Sequence, residues 1–353
     1  MTRSDPPYGH TKMAPPPAAR LVLRNDILEV VVLPDKGADI YAITDRATGV
    51  DVLFKSPWGW RDPQLLPACA DTELNWLARY PGGWQLLVPN AGPARVIDGV
   101  ERGYHGEAAI VGWQVVERTE QTATLTVDLI TAPLRLHRTL TLAGDALYLQ
   151  DRVRNTAPDP VQVTLVQHPV FGAPFIDENA KLSSGAGTVI SDAHAPGNIL
   201  AADTVSQFPH AVDHVGQDID LRVIQPAGTC RSMFAALTDF DEPWFAITNS
   251  RLGFGVGMAW NGSVLPHAWL WQESHASLGF PWFRRANAFA IEPANVLPGD
   301  GTIGSHRRGL APVLEGDSEL IADLTLVRYP SCIDPRQVNL AGTVETTRPR
   351  HTR

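Results

Sequence analysis

Basic charge, paired cysteines and long apolar runs are all scarce in this chain, and each shortage removes a class of function. Against 29 Lys and Arg stand 38 Asp and Glu, a formal net charge of −9. Nucleic acid and anionic membranes call for a basic face and are not expected partners. No apolar run reaches the roughly 18 residues that a membrane helix requires. Cys69, Cys230 and Cys332 lie far apart without any paired short spacing, which suits reduced core thiols better than a disulfide framework or a zinc site. The first 20 residues are rich in Pro and polar groups and lack the apolar centre of a secretory signal, so they read as a disordered arm and the cytoplasm is the expected address. Neither a glycine-rich phosphate loop nor a Gly-x-Ser-x-Gly elbow occurs, which leaves nucleotide and α/β-hydrolase chemistry without their usual signals.

What is present is strand. The 353 residues are 44% hydrophobic, enough for one large all-β domain or two ordinary ones with a sizeable core. Leu125, Val127 and Leu129 alternate with Thr124, Thr126 and Asp128, the signature of a half-buried strand. Leu134, Leu136, Leu140 and Leu142 share one parity, Ala143-Gly144-Asp145 turns the chain, and Leu147 to Arg154 returns. Residues 161–168, 252–260, 265–273, 287–292 and 319–329 extend the series. Helical signal is sparse: Asp71 to Tyr80 predicts one short helix, with Asp71 as a possible cap and Pro81-Gly82-Gly83 as its stop. The 29 Gly and 29 Pro are spread as turn punctuation, so a single β domain over 21–330 is the simplest organisation. A split near Asn155-Thr156-Ala157-Pro158 is the alternative, and the polar stretch 331–353 reads as a loose tail.

Three side chains stand out for proton chemistry, each at the end of an apolar stretch: His105 in Gly103-Tyr104-His105-Gly106-Glu107, His168 in His168-Pro169-Val170-Phe171-Gly172, and Glu292 in Phe289-Ala290-Ile291-Glu292-Pro293. Two imidazoles and a carboxylate are the minimum set for moving protons on and off a neutral, oxygen-rich substrate. Parity sets His168 with Gln162 and Thr164, opposite Val161, Val163 and Leu165, so it points where polar groups already point; a hydrogen-bonded or surface histidine is the plainer reading of that placement. His267, Trp269, Trp271 and Glu273 share a face, where two indoles could cover the apolar face of a pyranose or could simply fill a core. An unpaired Glu292 would be costly to bury beside Phe289 and Ile291, which asks for a charge partner or a functional reason. A metal bound by His105, Glu107 and a later His is a further possibility, though the close His-x-His spacing of such sites is missing.

Taken in order along the chain, these motifs resemble the aldose 1-epimerases, the galactose mutarotase-like proteins. The opening Val32-Leu33-Pro34-Asp35-Lys36-Gly37-Ala38 and Asp45-Arg46-Ala47-Thr48-Gly49-Val50-Asp51-Val52-Leu53 are similar to the family's first strands. Pro89-Asn90-Ala91-Gly92 followed by His105-Gly106-Glu107 and Trp113 resembles its first histidine motif, and His168-Pro169-Val170-Phe171-Gly172 its second. Trp260 to Glu273 and then Ala290-Ile291-Glu292-Pro293 resemble the end of the domain. The likeness spans residues 21 to 328.

The resemblance implies a β-supersandwich with a concave sugar-binding face and a reaction that interconverts α and β anomers of a monosaccharide, plain or modified, by opening the ring. Carried onto this chain, Glu292 would take the proton of the C1 hydroxyl, His168 would protonate the ring oxygen and His105 would hydrogen-bond the substrate. Asn90, Trp269, Trp271 and Glu273 would complete the sugar site, and neither cofactor nor metal is implied. Two departures concern sugar choice. Pro169 and Val170 replace polar and aromatic residues, and Pro93 stands where many members carry a substrate-binding arginine, leaving Arg95 or Arg79 as substitutes. A noncatalytic sugar-binding or regulatory protein on the same fold is the first alternative. A lyase or hydrolase is the second, and a hydrolase would need Glu273 and Glu292 as its two carboxylates.

Overall fold

A computed structural model describes residues 20–61, 69–97, 99–191, 197–298 and 312–346. The expected disordered arm lies, but for Arg20, outside the described residues. Two antiparallel sheets pack face to face, one of 11 strands and one of 8, so the all-β expectation holds. The larger runs, in spatial order, through Leu21–Arg24, Leu28–Leu33, Asp39–Asp45, Trp84–Leu87, Val166–Gly172, Asn287–Ala294, His267–Ser274, Arg231–Thr238, Thr188–Ser191 and Val205–Gln207, with the short Val50–Asp51 as its eleventh strand, paired to Asp39–Asp45 off this path. The smaller contains the predicted hairpin: Leu134–Ala143 pairs with Ala146–Asn155 across Gly144-Asp145, Leu142 opposite Leu147. No helix among the described residues is long and apolar enough to cross a membrane.

Period-two alternation decides what each sheet buries. The facing sides supply Val30, Ile40, Leu86, Phe171 and Ile291 from one sheet and Leu136, Leu147, Phe245, Val256 and Leu324 from the other to a single apolar core. One polar staple crosses it: Arg138 donates from Nε and Nη2 to the two oxygens of Asp151, both at 2.8 Å. Gln167 donates to Asp151 at 2.6 Å and accepts the Trp84 indole N–H at 2.8 Å. Every buried polar atom named in that chain therefore has its partner, the condition for tolerating a buried ion pair.

The other face of the large sheet is also covered. Leu87, Val166, Val170, Trp269, Ala288, Ala290 and Ala294 join Trp76, Leu77 and Tyr80 in a second apolar cluster. The last three belong to, or end, the one helix among the described residues, Thr72–Arg79, which forms where expected. Asp71 caps it by accepting from the Leu74 N–H at 3.0 Å, and Pro81 follows Tyr80 to stop it.

Three expectations need correction. The stretch from 331 is not wholly loose: Pro335–Val338 pairs with Val344–Thr346 and packs Val338, 1% exposed, against Trp244, Val327 and Tyr329 on the outside of the smaller sheet. Polar sequence hid it, because a short hairpin is held by backbone pairing and needs only one buried residue. The cysteines are free but not core thiols, since Cys69 is half-buried and Cys230 and Cys332 are exposed. Residues 161–168 do not form one strand. Val161–Gln162 pairs with Val313–Leu314, and a separate strand begins at Val166.

Candidate functional site

Val166–Gly172 lies in the middle of the large sheet although it contains a proline, a residue that central strands normally exclude. Against Asn287–Ala294, Val166 stands opposite Ala294 and Val170 opposite Ala290, while 167–169 make no paired contact with that strand. The register nevertheless sets His168 across from Glu292 on the face away from the main core. Pro169, with no N–H to donate, sits where the ladder opens. The two side chains approach there: His168 Nε2 is 3.7 Å from Glu292 Oε1. Gln162 and Thr164 precede the strand that carries His168, so the polar face expected from them does not extend to it: on 166–172 His168 shares its side with Val166 and Val170, and that face is enclosed. His168 is 6% exposed and Glu292 3%.

Burial dominates the electrostatics of both. Desolvation holds the His168 imidazole down at about 3 and pushes the Glu292 carboxyl well above the usual carboxylate range, the direction burial gives to any group whose charged form it disfavours. Both shifts favour the neutral forms, an uncharged imidazole beside a protonated carboxyl group.

His105 reaches the site from a loop. Its backbone adopts φ +57° and Gly106 φ +77°; a Cβ at Gly106 would meet the Val88 carbonyl oxygen at 2.5 Å, so only glycine fits that turn. The loop is locked reciprocally to the Asn90–Gly92 segment. His105 N–H donates to Gly92 O at 3.0 Å, and Gly92 N–H donates to His105 Nδ1 at 2.9 Å. A donor at Nδ1 makes that nitrogen the acceptor, so the neutral ring carries its hydrogen on Nε2. Burial, then the neighbouring His168 and Lys36, lowers the His105 pKa well below the usual histidine range. The two imidazole centroids are 5.5 Å apart.

Aromatic rings surround the pair. The Trp76 ring centroid lies 4.6 Å from that of His105 and 6.0 Å from that of His168, and Trp76 stacks on Tyr80 at 4.6 Å. Trp76 Nε1 and Tyr80 Oη are buried without a hydrogen-bond partner. Trp271 lies beside Trp282 at 5.8 Å, and Trp282 stacks on Trp58 at 5.5 Å. These half-buried indoles extend the enclosure.

The remaining expected residues divide. Trp269 stands opposite Glu292 in the sheet, but it is 4% exposed and its indole N–H donates to Val296 O at 2.8 Å, so it packs as core. Asn90 spends its amide on Pro93 O at 2.9 Å and Gly103 O at 3.1 Å, bracing the loop that carries His105. Glu273 accepts from Ala276 N–H at 2.5 Å, Ser277 N–H at 2.9 Å and Ser277 Oγ at 2.8 Å. That carboxylate holds its own turn. Four residues along the sheet, about 13 Å, also separate the position facing Glu273 from Glu292, too far for a hydrolase pair. Glu107 is likewise committed, to Thr131 and the Ile130 N–H, so a His105–Glu107 ligand set is not assembled. Arg79 turns back onto Asn75 of its own helix.

Sequence reasoning passed over Lys36, Asp39 and Gln85, all fully buried. Lys36 Nζ lies 5.9 Å from the Trp76 ring centroid and 2.5 Å from Asp39 Oδ2. His168 Nδ1 is 3.1 Å from Gln85 Oε1. The only signal was a charged Asp35-Lys36-Gly37 turn, which reads equally well as a surface loop.

The fold is that of the galactose mutarotase-like β-sandwiches. A galactose mutarotase related enzyme from Lactobacillus acidophilus superposes with a TM-score of 0.63 at 14% identity, covering 89% of this chain and 98% of its own. The aldose epimerase homologue from C. elegans gives 0.59 at 13%, covering 88% and 99%. The Slr1438 protein from Synechocystis sp. PCC 6803 gives 0.65 at 16%, covering 90% and 97%. The chain belongs to the DUF4432 family, a domain of unknown function, whose model matches residues 18–326. No curated protein matches it in sequence.

Proposed function

We propose that the protein is an aldose 1-epimerase, interconverting the α and β anomers of a monosaccharide by acid/base ring opening at His168 and Glu292. One observation carries the reading: an imidazole and a carboxyl group, both buried, approach to 3.7 Å, and burial favours the neutral form of each. Hemiacetal cleavage needs a base at O1 and an acid at the ring oxygen acting together, and closure needs the reverse.

The proton count fits both directions. With the proton on His168, the Glu292 carboxylate accepts the O1 hydrogen while Nε2–H donates to the ring oxygen. The bond from C1 to the ring oxygen breaks and C1=O1 forms. This leaves Glu292 protonated and His168 neutral, the forms that burial favours, and the free aldehyde rotates. Closure from either face returns both protons. His105, with its hydrogen on Nε2, donates to a substrate oxygen, and the unpaired Tyr80 Oη and Trp76 Nε1 find partners in sugar hydroxyls. Trp271, at the mouth with Trp282, offers the apolar ring face.

The test is NMR exchange between anomers across a panel of free and modified sugars. His168→Ala and Glu292→Gln are each expected to lower the exchange rate by about 10²–10⁴-fold, the contribution of a positioned acid or base, while remaining folded. Exchange at the wild-type rate in either folded variant would remove the assignment. Binding without exchange in the wild type would instead favour a sugar-binding protein.

A further inference from the structure

Lys36, Asp39 and Gln85 form a buried chain that ends on the imidazole of His168, and the direction of every bond in it can be read. Gln85 Nε2 donates to Asp39 Oδ2 at 3.1 Å and to the Gly82 carbonyl at 2.8 Å. With both amide hydrogens committed to acceptors, it is Oε1 that faces His168 Nδ1 at 3.1 Å. An oxygen there accepts only if Nδ1 carries the hydrogen, which leaves the Nε2 lone pair directed at Glu292.

Asp39 is held in turn by Lys36 Nζ at 2.5 Å. The turn joining them is built tightly: Asp39 N–H donates to Lys36 O at 3.1 Å, Gly37 has φ +65°, and a Cβ there would meet Asp39 Oδ1 at 2.5 Å. A buried ion pair is weak as a stabilising device, because apolar residues of the same volume commonly do as well or better. Its geometric effect here is specific: Asp39 fixes which end of the Gln85 amide meets the histidine.

We infer that Asp39, braced by Lys36, is a positioning residue for His168, acting through Gln85 to keep the imidazole hydrogen on Nδ1 and Nε2 bare toward Glu292. The inference rests on the mutarotase reading for its purpose but not for its geometry. The arrangement is complementary to that of His105, whose Nδ1 is the acceptor and whose hydrogen lies on Nε2. One ring thus accepts at Nε2 and the other donates. Glu292 faces His168 from the adjacent strand, His105 from its loop, Tyr80 from the end of the helix and Lys36 from the turn. No carboxylate touches Nδ1; besides the backbone of His168 itself, the neutral Gln85 amide is the group that meets the ring there.

Nitrogen NMR on isotope-labelled histidine in the full-length protein reads this directly, with the His168 signals assigned by their loss in His168→Gln. We expect a protonated Nδ1 and an unprotonated Nε2 in the ligand-free wild type. Gln85→Leu, and separately Lys36→Met combined with Asp39→Leu, should both convert this to a mixture of tautomers. They should also lower kcat for anomer exchange about tenfold, the loss of one oriented hydrogen bond, with KM little changed. Gln85→Glu retains an acceptor and should restore Nδ1–H and move the acidic limb of the pH profile upward. A wild-type ring protonated on Nε2, or folded variants with unaltered nitrogen signals, would overturn the inference. A purely structural role would lower stability and leave those signals alone. Absence of anomer exchange in the wild type would defeat the functional reading while the nitrogen signals still decided the tautomer.

Discussion

At the scale of single residues, the informative feature is unsatisfied polarity. A buried hydroxyl without a partner costs about 1–3 kcal/mol, and Tyr80 Oη is such a group, 1% exposed and unpaired beside the His168–Glu292 pair. A sugar hydroxyl relieves that cost only when bound. Tyr80→Phe should therefore leave the free protein at least as stable as the wild type in urea while weakening sugar binding about tenfold, the worth of a hydrogen bond of that size. Reduced stability with unchanged KM would mean that the hydroxyl serves the fold and not the ligand. His168 and Glu292 differ from Tyr80 in kind, because their removal is expected to affect the rate and not chiefly the affinity.

At the scale of elements, the helix and the strand register do the positioning. Thr72–Arg79 brings Trp76 against both imidazoles, and its first turn depends on the Asp71 carboxylate. Loss of an N-cap costs about 1 kcal/mol, so Asp71→Ala should lower the unfolding free energy by about that amount and speed hydrogen exchange at the Leu74 amide. Exchange at the wild-type rate there would show that packing of Trp76 and Leu77, not the cap, holds the helix. This element was legible in the sequence because its start and stop signals are local. So was the hairpin around Gly144, and so was the shared side of Glu292 with Ala288 and Ala290 and of Trp271 with Trp269; the side of His168 was not, because its strand begins only at Val166 and parity counted from Gln162 and Thr164 does not carry into it. Glu273 misled because parity names a face and says nothing of a turn three residues later whose N–H groups claim the carboxylate. Lys36, Asp39 and Gln85 were illegible for a different reason: they come from a turn and two strands, and only pairing of those strands brings them to His168.

At the scale of the whole molecule, the opposed shifts of His168 and Glu292 should be visible in the pH dependence of stability. At the pair the folded protein binds one proton, since burial keeps Glu292 protonated and His168 neutral. Unfolded, the same two groups take their ordinary values of 4.5 and 6.5. Between those values the unfolded chain also binds one proton, on the histidine, so the pair contributes no slope. Below 4.5 the unfolded chain binds two, and stability falls with acid; above 6.5 it binds none, and stability falls with base until Glu292 ionises in the folded state. Each single variant breaks the balance with opposite sign. In Glu292→Gln only the histidine remains, neutral when folded and charged when unfolded, so stability relative to wild type should fall as pH drops from 6.5 towards 4.5. In His168→Gln only the carboxyl group remains, protonated when folded and ionised when unfolded, so relative stability should fall as pH rises over the same window. The limiting slopes are about 1.4 kcal/mol per pH unit in each direction; His105, whose pKa is lowered first by burial and then by His168, keeps its main, burial contribution in all three proteins. Urea unfolding of wild type and both variants across the window reads the two slopes directly. Parallel curves would show that both groups titrate in the folded protein as they do in the unfolded chain, and would remove the neutral buried pair on which the proton count of the ring-opening step depends.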